Sequence, residues 1–211
     1  MKYKNYINNE WMDAANGHTF DVENPFIEEK IAEVPHSTPQ DVDKAVSAAK
    51  VAWKDWKILG CLDMRDLLRE VAVKSRAHDR EIAEIITHES GKPLIECLDE
   101  IEWIASIFEY YSEIGRDQRG RVVAPVTPRS MSMVVKEAYG VVGCIVPWNY
   151  PLLLMAWKVA PALAAGNTVV VKPSEFTPLS MMIWLEKCCD HLPNGILNMI
   201  SGFGDTGAAL V

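Results

Sequence analysis

The sequence predicts an α/β fold whose second half forms a parallel sheet. Three segments, at 140–146, 167–174 and 195–201, are rich in β-branched and other apolar residues, as expected for strands of a buried sheet. The segments between them, at 152–165 and 178–191, have the apolar spacing of helices. Strands that alternate with helices across short connections are typical of a parallel sheet covered by helices.

Composition indicates a globular protein. The 211 residues are 49% apolar and 24% charged, with a formal net charge of −8, which argues against nucleic acid or an anionic membrane as a partner. The long apolar stretch 141–171 is interrupted by Asn149, Lys158, Asn167 and three prolines, so we expect buried core and no membrane span. Five cysteines without a framework spacing and a start without an apolar leader favour reduced thiols and a cytoplasmic location.

The first half of the chain predicts strand pairs followed by helices. Thr38 offers a capping hydroxyl directly before Pro39, and this order is typical of a helix start. Apolar residues then recur at three- and four-residue spacing. The predicted elements are a hairpin with its turn at Asn8-Asn9, a strand pair over 18–35, a helix from Pro39, one helix from Asp63 to Glu89 ended by Gly91 and Pro93, and a helix over 94–114.

Two motifs follow predicted strands at their carboxyl ends, where open α/β sheets bind ligands. The segment "SGFGDTG" at 201–207 spells G-x-G-x-x-G, in which glycines let the backbone approach a pyrophosphate. Glycine at a strand-to-helix turn is also common for conformational reasons alone. The segment "VVVKPSE" places Lys172 and Glu175 where they can bind ribose hydroxyls. A solvated turn with Ser174 as a helix cap is the alternative.

A third motif, "PWNYP" at 147–151, fixes the direction of one amide. The two prolines restrict the backbone on both sides of Asn149 and remove two donors. Because the surrounding stretch is apolar, a buried Asn149 needs hydrogen-bond partners. An amide N–H₂ that donates to a developing oxyanion is one use of such a group. An asparagine that bonds the backbone of its own turn is the alternative.

These motifs occur in an order that belongs to a known family. The run "GVVGCIVPWNYPLLLMAWKVAPALAAGNTVVVKPSE", followed by "LPNGILNMISGFGDTGAAL", closely resembles the NAD(P)-dependent aldehyde dehydrogenase superfamily. The resemblance extends through "INNEW", "NPFIEEKIAEVP" and "ITHESGKP". It implies a Rossmann-like cofactor-binding domain made of 1–118 and 139–211, incomplete at its C-terminal end, with an oligomerisation hairpin at 119–138.

The resemblance also implies roles for individual residues. Asn149 matches the asparagine that, with a backbone N–H near the nucleophile, holds the aldehyde oxygen as the thiohemiacetal forms. Lys172 and Glu175 match the pair that binds the adenosine ribose, and a glutamate there usually accompanies a preference for NAD over NADP. The other residues expected along the cofactor are Ile145, Val146, Pro147, Trp148, Ser174 and Gly204. No metal site is expected.

The implied activity is oxidation of an aldehyde to a carboxylic acid through a thioester, with NAD reduction, in a homo-oligomer. Family members that act on betaine aldehyde and aminoaldehydes carry aromatic residues at the positions of Tyr150 and Trp157. Because these residues are seven apart, both can face one side and attract a cationic substrate by ~0.5–2 kcal/mol. Packing of Trp157 in the core is the alternative.

The family's nucleophilic cysteine and general-base glutamate lie in a second, catalytic domain further along the sequence. Neither matches a residue among these 211, and no cysteine present has a matched base, so we expect the chain to be inactive by itself. One alternative is a non-catalytic module for nucleotide binding or subunit interaction. The other is an unrelated Rossmann dehydrogenase that uses the glycine motif in the usual way.

Overall fold

A computed structural model describes residues 3–117 and 119–211 of the chain. The elements, in chain order, are β1 (Asn5–Ile7), β2 (Glu10–Met12), β3 (Thr19–Asn24), β4 (Glu29–Pro35), α1 (Pro39–Trp56), α2 (Cys61–Ala77), α3 (Asp79–Ser90), α4 (Leu94–Ile114), a 3₁₀ turn (Gly115–Asp117), β5 (Arg121–Val123), β6 (Ser132–Val134), β7 (Val141–Ile145), α5 (Pro151–Ala164), β8 (Thr168–Lys172), α6 (Leu179–Cys188), β9 (Leu197–Met199) and α7 (Gly204–Leu210).

The main sheet confirms the α/β class but is mixed. Within the described residues its strand order is β2-β1-β9-β8-β7, and β7, β8 and β9 are parallel. The N-terminal hairpin adds β1 antiparallel to β9. Asn8 and Asn9 take φ of 56° and 61°, the left-handed values that a two-residue hairpin turn needs. The Asn8 N–H donates to Asn198 Oδ1 at 2.9 Å, which attaches the hairpin to β9.

The prediction of one helix from Asp63 to Glu89 is wrong, because the chain bends at His78 between α2 and α3. His78 serves both helices. Its N–H donates to the Lys74 carbonyl and its own carbonyl accepts from the Ile82 N–H, each at 3.1 Å. Within the described residues these two are the backbone hydrogen bonds across the bend, and the Arg80 N–H bonds the Asp79 side chain instead of an α2 carbonyl. The apolar spacing nevertheless continues from α2 into α3. Gly91 then ends α3 at a φ of 75°, as expected.

The strand β7 is less buried than predicted. All five residues of β8 are buried, whereas Gly143 and Ile145 of β7 are exposed. The reason is position: within the described residues β7 lies at the edge of the sheet and pairs only with β8. A strand's own residues do not show which neighbours it will have, so this exposure was not predictable from the segment.

The segment predicted as a hairpin at 119–138 contains the antiparallel pair β5 and β6. Every residue of the two strands is exposed. The pair therefore has no packing face on the rest of the described chain. Among the helices in the described ranges, none is both long and apolar enough to cross a membrane.

Candidate functional site

The turns that follow β7 and β8 lie side by side at one edge of the sheet. The parallel register pairs Ile145 with Lys172, and the Val146 N–H donates to the Lys172 carbonyl at 3.1 Å. The two motifs after these strands, "PWNYP" and "KPSE", are therefore adjacent. A cavity of ≈ 410 Å³ lies nearby, and its lining includes Trp148 and Glu175, one from each turn.

The ammonium group of Lys172 is buried and has unused hydrogen-bond donors. Its side chain is only 5% exposed, and its Nζ donates to the Pro173 carbonyl at 3.1 Å and lies 3.5 Å from Glu175 Oε2. An ammonium has three N–H donors, and within the described part of the chain these are its only partners. The Glu175 side chain is 31% exposed. A donor and an acceptor are thus available together, which fits the two hydroxyls of a ribose.

Ser174 belongs to the turn and does not cap a helix. Its hydroxyl accepts from the Phe176 N–H at 3.3 Å and its carbonyl accepts from the Thr177 N–H at 3.2 Å. The helix α6 begins at Leu179 with Pro178 as its N-cap. The interpretation of Ser174 as a helix cap is therefore wrong, because four residues of turn separate it from the helix.

The glycines of "SGFGDTG" divide into different roles. Gly202 has a φ of 154°, and a Cβ on it would lie 2.1 Å from Thr206 Oγ1, so both its backbone conformation and its surroundings favour glycine. A Cβ on Gly207 would lie 3.5 Å from Ile145 Cδ1 and 3.7 Å from Lys172 Cδ. Gly204 faces open space. The start of α7 therefore lies beside the ends of β7 and β8, with Gly204 leaving its surface free.

Asn149 is exposed, and the expectation of burial is wrong. Of the residues around it, Val146 is buried, whereas Ile145 is 45% and Trp148 58% exposed, and Pro147 is exposed too. The apolar stretch suggested burial of Asn149, but most of its apolar residues belong to α5. That helix packs into the core, whereas the turn before it does not. Within residues 3–117 and 119–211 the Asn149 side chain has no hydrogen-bond partner. The alternative of an amide tied to its own turn is therefore not observed.

The N-terminus of α5 is capped by a residue that sequence reasoning missed. Glu100 on α4 is fully buried, and its Oε1 accepts from the N–H groups of Leu152 and Leu153, each at 3.0 Å. Its Oε2 lies 2.6 Å from Lys92 Nζ. That ammonium also lies 3.7 Å from the centre of the Tyr150 ring. A carboxylate at a helix N-terminus satisfies free donors and interacts favourably with the helix dipole.

The N-terminus of α6 is capped in the same way by Glu89 of α3. Its two carboxyl oxygens accept from the N–H groups of Leu179 at 2.7 Å and Ser180 at 3.0 Å. Burial raises the pKa of Glu89 to about 8, although these hydrogen bonds act in the opposite direction. The sequence contained a signal for both caps. Glu89 and Glu100 lie on the buried faces of their helices, at positions where the apolar periodicity predicts a hydrophobic residue.

The two aromatic candidates for substrate binding have different surroundings. Tyr150 is half-buried, with Lys92 over its ring and the Trp103 ring 6.2 Å away. Trp157 is 56% exposed. The alternative that Trp157 packs in the core is therefore wrong.

The buried cysteines are poor nucleophiles. Burial raises the pKa of Cys144 to about 11 and that of Cys188 to about 12, and it raises the pKa of Cys189 well above its usual value. The thiolate is the reactive form, so we expect these thiols to react slowly near neutral pH. All five cysteines are free, and Cys61 is exposed.

Comparison with known proteins identifies the family. The model of the aldehyde dehydrogenase family matches residues 11–211. The chain belongs to the aldehyde dehydrogenase family. Its members are oxidoreductases, and the alternative of an unrelated Rossmann dehydrogenase is wrong.

Individual relatives are similar to this chain over nearly its whole length. An acetaldehyde dehydrogenase from Pseudomonas aeruginosa is 39% identical over 211 residues, which cover 99% of this chain and 42% of the relative. A crystal structure of betaine aldehyde dehydrogenase from Staphylococcus aureus in complex with NAD⁺ has a TM-score of 0.94 and 35% identity, over 99% of this chain and 43% of that one. A structure of an E. coli NADP dependent enzyme has a TM-score of 0.92 and 34% identity, over 95% and 42%.

The chain spans about 42% of the length of the curated relatives that it matches. Its structural neighbours include proteins described with NAD⁺ and with NADP. The family is thus established for residues 11–211.

Proposed function

We propose that the protein containing this chain oxidises an aldehyde to a carboxylic acid with NAD as the hydride acceptor. The observation that carries the proposal is the register of β7 and β8, which places Asn149 and the Lys172–Glu175 pair at adjacent turns in a member of this family. This chain would supply the cofactor-binding residues and one oxyanion donor. The nucleophile and the general base would come from a catalytic domain, so the 211 residues alone would be inactive.

The free amide of Asn149 suits the role of oxyanion donor. Its N–H₂ would donate to the aldehyde oxygen as that atom gains negative charge, while the prolines around it limit its movement. In a complete, active protein, Asn149→Ala is expected to lower kcat by roughly 10²- to 10³-fold with little effect on the KM for NAD. An unchanged kcat would contradict the assignment. Purified 211-residue chain should form no NADH from aldehydes, and NADH above an enzyme-free blank would contradict its inactivity.

The Lys172–Glu175 pair supports a preference for NAD. Lys172 would donate to a ribose oxygen and Glu175 would accept from the hydroxyls, whereas a 2′-phosphate would meet the Glu175 carboxylate and be repelled. We expect Glu175→Gln to weaken NAD binding and to reduce the discrimination against NADP, as measured by calorimetric titration of both cofactors. Glu186→Gln is the control, because Glu186 is an exposed residue of α6. Unaltered affinities in Glu175→Gln would count against this assignment. The remaining proposed cofactor contacts are Ile145, Val146, Pro147, Trp148, Ser174 and Gly204.

The proposed substrate is an aldehyde that carries an amino or trimethylammonium group. Trp157 offers an exposed ring, and Tyr150 has one ring face occupied by Lys92, so Trp157 is expected to contribute most of the attraction. Trp157→Leu should lower kcat/KM for betaine aldehyde more than for acetaldehyde. Equal losses for the two substrates would argue against recognition of the cation.

The exposed hairpin favours a second role for the chain in subunit pairing. We assign 1–118 and 139–211 to the cofactor-binding domain and 119–138 to contacts within a homo-oligomer in the cytoplasm. Val122 and Met133 are paired across the hairpin and are 75% and 61% exposed, which is unusual for large apolar side chains. If the chain is instead a non-catalytic interaction module, oligomers should form without any NAD binding. Light scattering of the chain and of Val122→Glu measures whether the hairpin mediates oligomerisation. Association that survives the substitution would exclude the hairpin as the interface.

A further inference from the structure

We infer that Lys92 and Glu100 form a positioning pair that holds the Asn149 turn in place. The inference rests on the proposed role of Asn149 as the oxyanion donor. Neither residue touches the reacting atoms; both act through the start of α5. The two residues come from α4 and from the loop before it, so a helix outside the sheet would set the position of the donor.

The first argument is the way in which α5 begins. Its N-cap is Tyr150, whose side chain makes no capping hydrogen bond, and its first residue is Pro151, which has no N–H. Leu152 and Leu153 therefore carry the first free donors, and Glu100 Oε1 accepts from both. The next amide, that of Leu154, bonds the Tyr150 carbonyl at 3.0 Å. One oxygen atom thus completes the hydrogen bonding of the turn that follows Asn149.

The second argument is the burial of the pair. The Glu100 side chain is 0% exposed and that of Lys92 is 14% exposed, and removing two charges from water opposes folding strongly. Their 2.6 Å contact offsets this cost. The Lys92 ammonium also contacts the ring of Tyr150, the residue next to Asn149. The pair therefore holds Tyr150 by its ring and α5 by two backbone amides.

The third argument is what the pair leaves free. Residues 150, 152 and 153 are held by the pair, whereas the side chain of Asn149 is exposed and unpartnered within the described ranges. A local serine or aspartate at the N-cap would satisfy the same donors. Its side chain would occupy the turn itself. Capping from a different helix keeps the surroundings of the Asn149 amide open for a ligand.

The direct test is amide hydrogen exchange, measured by NMR on the 211-residue chain. In Glu100→Gln the amides of Leu152 and Leu153 are expected to exchange roughly 10- to 100-fold faster than in the unaltered chain, because a charge-assisted hydrogen bond is weakened. Glu96→Gln, an exposed position one turn earlier on α4, should leave both rates unchanged. Unaltered exchange at Leu152 and Leu153 in Glu100→Gln would overturn the inference.

Two lysine variants keep the test decisive if Glu100→Gln does not fold. Lys92→Met keeps the Glu100 carboxylate but removes the ammonium, so the backbone resonances of Asn149 and Tyr150 should shift and the two leucine amides should lose protection. Lys92→Arg retains a cation and should restore part of that protection. If Lys92→Met leaves the resonances of Asn149 and Tyr150 unmoved, the pair does not position the turn.

A double-mutant cycle in the complete, active protein tests the link to catalysis. Glu100→Gln is expected to lower kcat with an unchanged KM for NAD, and to have no further effect when Asn149→Ala is already present. An equal loss of kcat in both backgrounds would show that Glu100 does not act through Asn149. If the unaltered complete protein shows no aldehyde turnover, the proposed function fails, and the exchange experiment still decides whether the pair holds the turn.

Discussion

Glu89 should make the stability of the fold depend on pH between 5 and 7. Its carboxyl group is completely buried beneath the N-terminus of α6, near the charge of Glu100. Burial raises the pKa of Glu89 from 4.5 to about 8 in the folded chain. A raised pKa means that the folded state binds the proton more tightly than the unfolded state does. The contribution to stability is therefore complete below about pH 4.5 and is lost as the pH rises through about 8.

The size of the effect follows from the two pKa values. With 4.5 in the unfolded chain and about 8 in the folded chain, linkage predicts that the free energy of unfolding falls by about 2.5 kcal/mol between pH 5 and pH 7. Glu89→Gln removes the titrating group, so this fall should disappear. The glutamine amide would also place an N–H₂ against one helix donor, which is expected to lower stability at pH 5 by about 1–3 kcal/mol.

Urea unfolding followed by tryptophan fluorescence at several pH values between 5 and 7 measures this difference. The buried Trp184 provides a probe on α6 itself. Glu84→Gln, at an exposed position of α3, is the matched control and should follow the pH dependence of the unaltered chain. If the difference between the unaltered chain and Glu89→Gln is the same at pH 5 and pH 7, the argument from burial is refuted.

Two further predictions concern the glycine turn and the thiols. Gly202→Ala should lower the free energy of unfolding by about 1–3 kcal/mol, since its Cβ would lie 2.1 Å from Thr206 Oγ1 at a φ of 154°; urea unfolding measures the loss. Gly204→Ala, which faces open space, is the control, and an equal loss in both variants would reject the steric explanation. A thiol reagent should modify Cys61 rapidly and the four buried cysteines slowly. A rapid phase that persists in Cys61→Ser would show that a buried cysteine becomes accessible.

Local sequence patterns predicted much of the fold. The Asn8-Asn9 turn forms where expected, and the helix predicted over 94–114 has those bounds. Turn chemistry and helical periodicity depend on residues that are close in the chain, so they can be read from the chain directly. The bend at His78 was missed because the apolar spacing continues from α2 into α3 and gives no sign of it.

The candidate site was predictable only in its parts. The sequence identified Asn149, Lys172 and Glu175 as chemically notable, and it placed Lys172 and Glu175 at the carboxyl end of a predicted strand, where open α/β sheets bind ligands. It suggested a buried Asn149, whereas the folded chain leaves that side chain exposed. The exposure of the Asn149 side chain depends on how the whole turn lies relative to the core. The number of apolar neighbours in the sequence does not show this.

The sequence by itself determined most of the elements, their order and the residue types at the ends of the strands. Tertiary structure alone decided how those ends are held. Glu100 caps helix α5 from 52 positions away in the chain, and Glu89 caps α6 from 90 positions away. Such contacts depend on which helices pack together, so no local sequence pattern predicts which helix end each glutamate caps. A buried carboxyl group lowers the free energy of a helix end only when the fold brings the two together.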